Sequence, residues 1–186
     1  MPPVDPTAFA ALAAALYPAH LLADHPFQPS AWAATKGQCD HAGRVACAKH
    51  TTVVVALQGL FALGVAALTG LALDPVAVVT GLAFTAWSHY WMDRRFTAAG
   101  LYETLGKTGF AKLGTPRPGR DDAPHLGTGA YRMDQDWHTL WVAVTALVMA
   151  STGWMLVVLV AVSTTVMAAA ILASRHGRRA LATPAP

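Results

Sequence analysis

Charge is what this sequence has least of. Of its 186 residues only 12% are Asp, Glu, Lys or Arg, about half the ~25% usual in a soluble domain. With 54% hydrophobic residues and a mean hydropathy of +0.40, a membrane protein is the first reading. The net charge is only +3 and no run of five basic residues occurs, so the sequence predicts no nucleic-acid partner. Residues 1–19 hold no Lys or Arg, so they do not resemble a cleaved signal peptide. Residues 1–6 read as a polar lead-in, with Thr7 the expected first cap. The two cysteines, Cys39 and Cys47, match no zinc spacing and are expected to be reduced thiols on the cytoplasmic side. Serine-hydrolase elbows, Cys/His nucleophile pairs and phosphate loops are also missing.

The hydrophobic runs give the frame. A transmembrane helix needs about 20 mostly apolar residues. The segments about 7–24, 50–73, 76–93, 137–150 and 154–174 approach this, with a kink expected at Pro18 and Pro75 opening the third. "STG" at 151–153 is expected to divide a stretch otherwise long enough to be read as one helix. The expected fold is all-α: a polytopic transmembrane helix bundle of about five spans in a single domain, residues 7–175, followed by a tail at 176–186. All 13 Lys and Arg residues fall in residues 25–49, 94–136 and 175–179. By the positive-inside rule these lie on the cytoplasmic side, with the N-terminus outside and the C-terminus inside. Segments 30–37 and 96–114 mix apolar and basic residues and are expected to form short interfacial helices. Residues 115–129, rich in Pro, Gly and charge, read as a surface loop.

Against this apolar background three His/Asp pairs stand out: His20 with Asp24, His89 with Asp93, and Asp134 with His138. Residues four apart share a helix face, so each pair points one way. His50 opens the second span. The topology puts all seven side chains at the cytoplasmic ends of four helices, at one depth. Asp121 and His125 make a further pair in the surface loop, read as solvated. Ionisable residues inside a span are costly and usually functional. Imidazole with carboxylate suits zinc, and also iron or manganese. One or two divalent ions are expected, with His20, Asp24, His50, His89, Asp93, Asp134 and His138 as ligands or as groups that orient them. An unmetallated polar bundle and a proton or ion relay stay open beside this.

Other polar residues carry less. Gln28 and Gln135 flank the pairs and are candidates to orient a ligand or water. Lys36 suits a lipid phosphate, although positive-inside bias alone explains it. His25 and His41 read as solvated, and Asp136 should face away from Asp134. Ser88 precedes His89 but points elsewhere. Trp32, Trp87, Trp91, Trp137 and Trp141 are expected to form an aromatic belt at the inner interface.

"AHLLADHPFQ", the isolated His50, "SHYWMD" and "DQDWH" resemble the signature of a bacterial and phage membrane family, domain-of-unknown-function family 3307, over about residues 19–140. The resemblance implies an integral protein of the bacterial cytoplasmic membrane and no established activity. That family's pattern places a lysine shortly after the position of Asp93, where this chain has Arg94 and Arg95. More distantly, the His- and Asp-bearing helices resemble membrane-bound metal-dependent hydrolases. The functional expectation is therefore hydrolysis of an ester or phosphoester at the cytoplasmic membrane surface. Asp93 and Asp134 are the candidate catalytic carboxylates, and the substrate is expected to be a lipid or lipid-linked. The rivals are a non-enzymatic membrane interaction protein held together by the cluster, and a proton or cation transporter.

Overall fold

The structure is a computed structural model that describes residues 3–116, 119 and 127–183. The Asp121/His125 pair and most of the expected surface loop lie outside the described residues. Among those described, the fold is all-α with eight helices: α1 (Pro6–Asp24), α2 (Ser30–Thr35), α3 (His41–Thr69), α4 (Pro75–Asp93), α5 (Phe96–Thr104), α6 (Thr108–Ala111), α7 (Gly129–Met149) and α8 (Gly153–Ala182).

Local chemistry sets the ends. Asp5, not Thr7, caps α1: its carboxylate accepts from the backbone N–H groups of Thr7 and Ala8. Asp74 caps α4 in the same way, with Pro75 at its first position, where a missing N–H costs nothing. Gly70 closes α3 in the left-handed conformation, φ 72°. The division at 151–153 is present, with Gly153 at φ 57°. Its exposed backbone groups are met by the N-terminal lead-in: Asp5 N–H donates to Ala150 O at 3.0 Å and Thr152 N–H to Pro3 O at 3.1 Å.

Several helices outrun the expected spans. α3 begins nine residues before position 50 and α7 eight before position 137, because the polar residues there keep helical spacing. α8 continues to Ala182, so most of the expected tail is helix. The interfacial segments appear as α2, α5 and α6. Among the described residues three helices, α1, α3 and α8, are long and apolar enough to cross a membrane. The expected count was five. α4 and α7 fall outside that set, and their inner turns carry the polar and aromatic residues Trp87–Asp93 and Asp134–Trp141.

α1, α3, α4 and α7 form a ring of four, each packed on the next, and α8 leans on α5. Small residues permit close approach between helices where lipid supplies no hydrophobic drive. A Cβ on Gly81 of α4 would meet Met149 Cγ of α7 at 2.8 Å. At the crossing of α5 and α8, Gly100 and Gly177 leave no room at all: a Cβ on Gly177 would run into the Gly100 carbonyl oxygen, and one on Gly100 into the Ser174 oxygen. Two hydroxyls fasten this crossing, Ser174 donating to Thr97 O at 2.7 Å and Thr104 to Ala173 O at 2.6 Å. The outer faces expose large apolar side chains, among them Leu60, Leu63, Val76, Val79, Val157 and Val162, as a lipid-facing surface does.

Gly177→Leu should force α8 off α5 and destabilise the protein by about 1–3 kcal/mol, the usual range for overpacking. Gly64→Ala, where a Cβ meets nothing, should be neutral or stabilising. Thermal melts in detergent read the difference, and equal midpoints for the two variants would contradict the tight crossing.

Candidate metal centre

The four-helix ring brings its polar ends together. Each i,i+4 pair is seen on its helix: His89 Nε2 lies 3.2 Å from Asp93 Oδ2, His138 Nε2 3.5 Å from Asp134 Oδ1, and His20 Nε2 4.0 Å from Asp24 Oδ2. Contacts between helices are as short. His50 Nε2 stands 3.1 Å from Asp24 Oδ1 and 2.9 Å from His89 Nε2. The ring centroids of His20, His50 and His138 are 5.5, 4.9 and 4.1 Å from that of His89. All four histidines are at most 2% exposed.

Two overlapping sets could hold a metal: Asp24 with His50 and His89, and His89 with Asp93 and His138. Protein ligands 2.0–2.1 Å from a tetrahedral zinc stand about 3.3 Å apart. In the first set the separations are 2.9, 3.1 and 3.9 Å. Asp93 Oδ2 lies 3.4 Å from His50 Nε2 as well, so it borders both sets. Several buried atoms here have no hydrogen-bond partner among the described residues: His20 Nε2, His138 Nε2 and Asp93 Oδ2. Buried polar atoms are rarely left so. Charge agrees with the geometry. With neutral imidazoles, as ligation requires, three carboxylates and one ammonium leave a charge of minus two, which one divalent cation balances.

That ammonium is Lys36, which the sequence reading put among the loop charges. Lys36 is 9% exposed, and its Nζ lies 2.9 Å from Asp93 Oδ1 and 3.8 Å from Asp24 Oδ1. Burial alone would favour the neutral amine, but the carboxylates of Asp93 and Asp24 outweigh it and push its pKa up. Lys36 is held there by the residues after Asp93. Arg94, 5% exposed, donates to the carbonyls of Lys36 at 3.2 Å and Gln38 at 2.5 Å. Its guanidinium lies over Tyr90 and Phe96. Arg95, at a positive φ of 43°, donates to Ala33 O at 3.0 Å. The two arginines therefore grip the C-terminal end of α2 through a donor geometry, beyond supplying positive charge.

The flanking residues sort themselves. Gln135 donates to Asp24 Oδ2 at 2.8 Å and to Asp134 Oδ2 at 3.3 Å. Asp136 turns away to pair with Arg132 on the surface. His25 bonds the Tyr131 hydroxyl at 2.8 Å, and His41 is exposed. The Ser88 hydroxyl donates to Phe84 O. Two of the five tryptophans expected at the interface lie in the core. Trp91 and Trp141 are buried, and Trp137 packs against both. They pack with Phe84, Met92 and Met167 in the apolar core between α4, α7 and α8. Below the histidines lies a buried layer unmarked by any motif: Gln58 Oε1 accepts from Thr85 at 2.8 Å, and Thr85 meets the Thr145 hydroxyl at 2.9 Å.

On its other side the cluster opens. A cavity of about 680 Å³ has Asp24, Lys36, Asp93 and Asp134 on its lining, together with α5, α6 and the start of α7. Asp93 is almost covered, whereas the Asp134 side chain is 27% exposed. Water therefore reaches Asp134 more readily than Asp93.

Arg94→Lys keeps the charge and loses the fork. It should weaken zinc binding about tenfold, the low end of the effect of residues that orient ligands. Competition with a chromophoric chelator measures this. Unchanged affinity would show that the grip on α2 does not reach the centre.

A family model described as Protein of unknown function (DUF3307) matches residues 12–167, a stretch that contains all seven His and Asp residues, Lys36 and Arg94. Neither the curated proteins nor the solved structures give a match. The matched stretch is most of the chain, and the protein belongs to this family of unknown function.

Proposed function

We propose that the protein is a metal-dependent hydrolase acting on an ester or phosphoester at the cytoplasmic surface of the membrane. The observation that carries this reading is the cavity: the candidate carboxylates Asp24, Asp93 and Asp134 lie on its lining, whereas a structural site would be closed on every side. A divalent cation there, zinc by the chemistry of the ligands, supplies Lewis-acid polarisation and a more acidic water.

The chain's own groups divide the work by exposure. Asp24, His50 and His89 would hold the ion from three helices. Asp93, pinned by Lys36, borders both ligand sets and has an oxygen left for a one- or two-ion arrangement. Asp134, open to the cavity, is the group placed to take a proton from an attacking water. His138 links it to Asp93, and His20 lies against the rings of His89 and His138. Lys36 also faces the cavity, where its charge suits an anionic substrate. Beyond the Gln58–Thr85–Thr145 layer the core is apolar, with Leu12, Ala62 and Met149 buried, which argues against a transport path.

The topology proposed is five spans, N-terminus outside, with α4 and α7 crossing inside the ring. Supporting it, Val76 and Val79 of α4 are exposed like lipid-facing residues. The lead-in also meets residues 150–152, at the end of the bundle away from the charged cluster. Reporters fused after Leu73 and after Thr183 should report opposite sides, and the same side for both would refute it.

For the chemistry, Asp134→Asn should cut turnover about 10²–10⁴-fold, the typical worth of a general base, while zinc content and melting point stay near wild type. Asp93→Asn should lose both zinc and activity. Metal analysis and a screen of phosphoester and carboxylester substrates decide. Wild-type protein that holds no metal and turns over nothing, with Asp93→Asn melting far lower, would leave a non-enzymatic interaction protein.

A further inference from the structure

The cavity has a chemical character of its own. Its floor is the charged cluster, yet most of its wall is small and apolar, including Ala98, Ala99 and Ala111, with the cations Lys36, Arg95 and Lys112 set into it. At about 680 Å³ it is the size of a site for a small molecule or a headgroup, too small for a whole two-chain lipid. One segment gives it a second face. Thr108 and Ala111 of α6 border the cavity, while Leu105, Phe110 and Leu113 around them are 56%, 45% and 58% exposed. These apolar side chains alternate with Lys107 and Lys112, the composition of a segment lying in a membrane interface among anionic headgroups.

We infer that the cavity admits a phosphate-bearing lipid from the bilayer, its headgroup beside Lys36 and Lys112 above the His/Asp cluster and its upper chain against Ala99 and Ala111. The rest of its chains stay among the membrane lipids, past α6. This deepens the hydrolase reading by naming the substrate class, and rests on it only for what happens after binding. A neutral ester would bring no charge to Lys112 and Arg95 on the lining. A free phosphate would leave the apolar wall uncovered.

Binding, not turnover, is the test. The full-length protein in detergent, with and without added zinc, is titrated with dioleoyl phosphatidate, dioleoylglycerol or inorganic phosphate, and affinity is read by thermophoresis. Phosphatidate should bind at least about tenfold tighter than either of the others, a difference of about 1.4 kcal/mol. Ala99→Trp and Ala111→Trp, which fill the wall without touching a ligand residue, should each remove that preference with zinc content unchanged. Lys112→Glu should weaken phosphatidate alone. Equal binding of dioleoylglycerol would reduce the cavity to an apolar groove, and equal binding of phosphate to a soluble-anion site. Undiminished preference in both tryptophan variants would place the lipid elsewhere. Each of these overturns the inference. Zinc content measured on the same samples separates the readings: selective lipid binding without metal defeats the hydrolase alone, and metal without lipid selectivity defeats this inference alone.

Discussion

Three carboxylates at the inner end of an apolar bundle are the constraint on which the rest depends. Asp24 and Asp93 are nearly covered, and a charge so placed is stable only if opposite charge and hydrogen bonds come with it. Lys36 meets part of that demand and Gln135 satisfies one oxygen of Asp24. The remaining imbalance, together with imidazole nitrogens that face each other, is what a divalent cation would remove. The grip of Arg94 and Arg95 on α2 is a secondary consequence. A lysine on a short helix with no core of its own stays at a buried carboxylate only if its backbone is tied down.

The helices outside the ring serve the same centre. α5 and α6 form a roof over the cavity, and α8 carries that roof through the glycine crossing at Gly100 and Gly177. Loosening α8 would therefore widen the cavity before it disturbed the histidines. At the opposite end, the lead-in completes the backbone bonding of the α7–α8 corner, so the apolar half of the bundle is closed by backbone groups and its polar half by side chains.

Much of this was legible in the chain. The His/Asp pairs lie on single helices, and their spacing and the span boundaries place them at one depth without any tertiary information. The break at 151–153 and the start of α4 at Pro75 are equally local. Lys36 was not legible, because its role comes from a fold-back of α2 that no periodicity records. Gln58, Thr85 and Thr145 are single polar residues on three helices and reveal a layer only when those helices pack. Trp91 and Trp141 have the rings of interfacial residues, but here they pack into the apolar core with Phe84, Met92 and Met167. α4 and α7 fall short of the apolar criterion for the same reason that they matter: the turns that hold the site are the ones that lower their hydropathy.

The joint at which α1, α3, α4 and α7 each supply a ligand also bears on how the family can diverge. Each helix advances about 100° per residue. A single residue inserted between the far end of a helix and its histidine would swing that imidazole away from its neighbours, with no adjacent histidine to replace it. An insertion in a connection leaves that phase intact, and an exchange of one apolar side chain for another on the outer faces leaves the four imidazoles where they are.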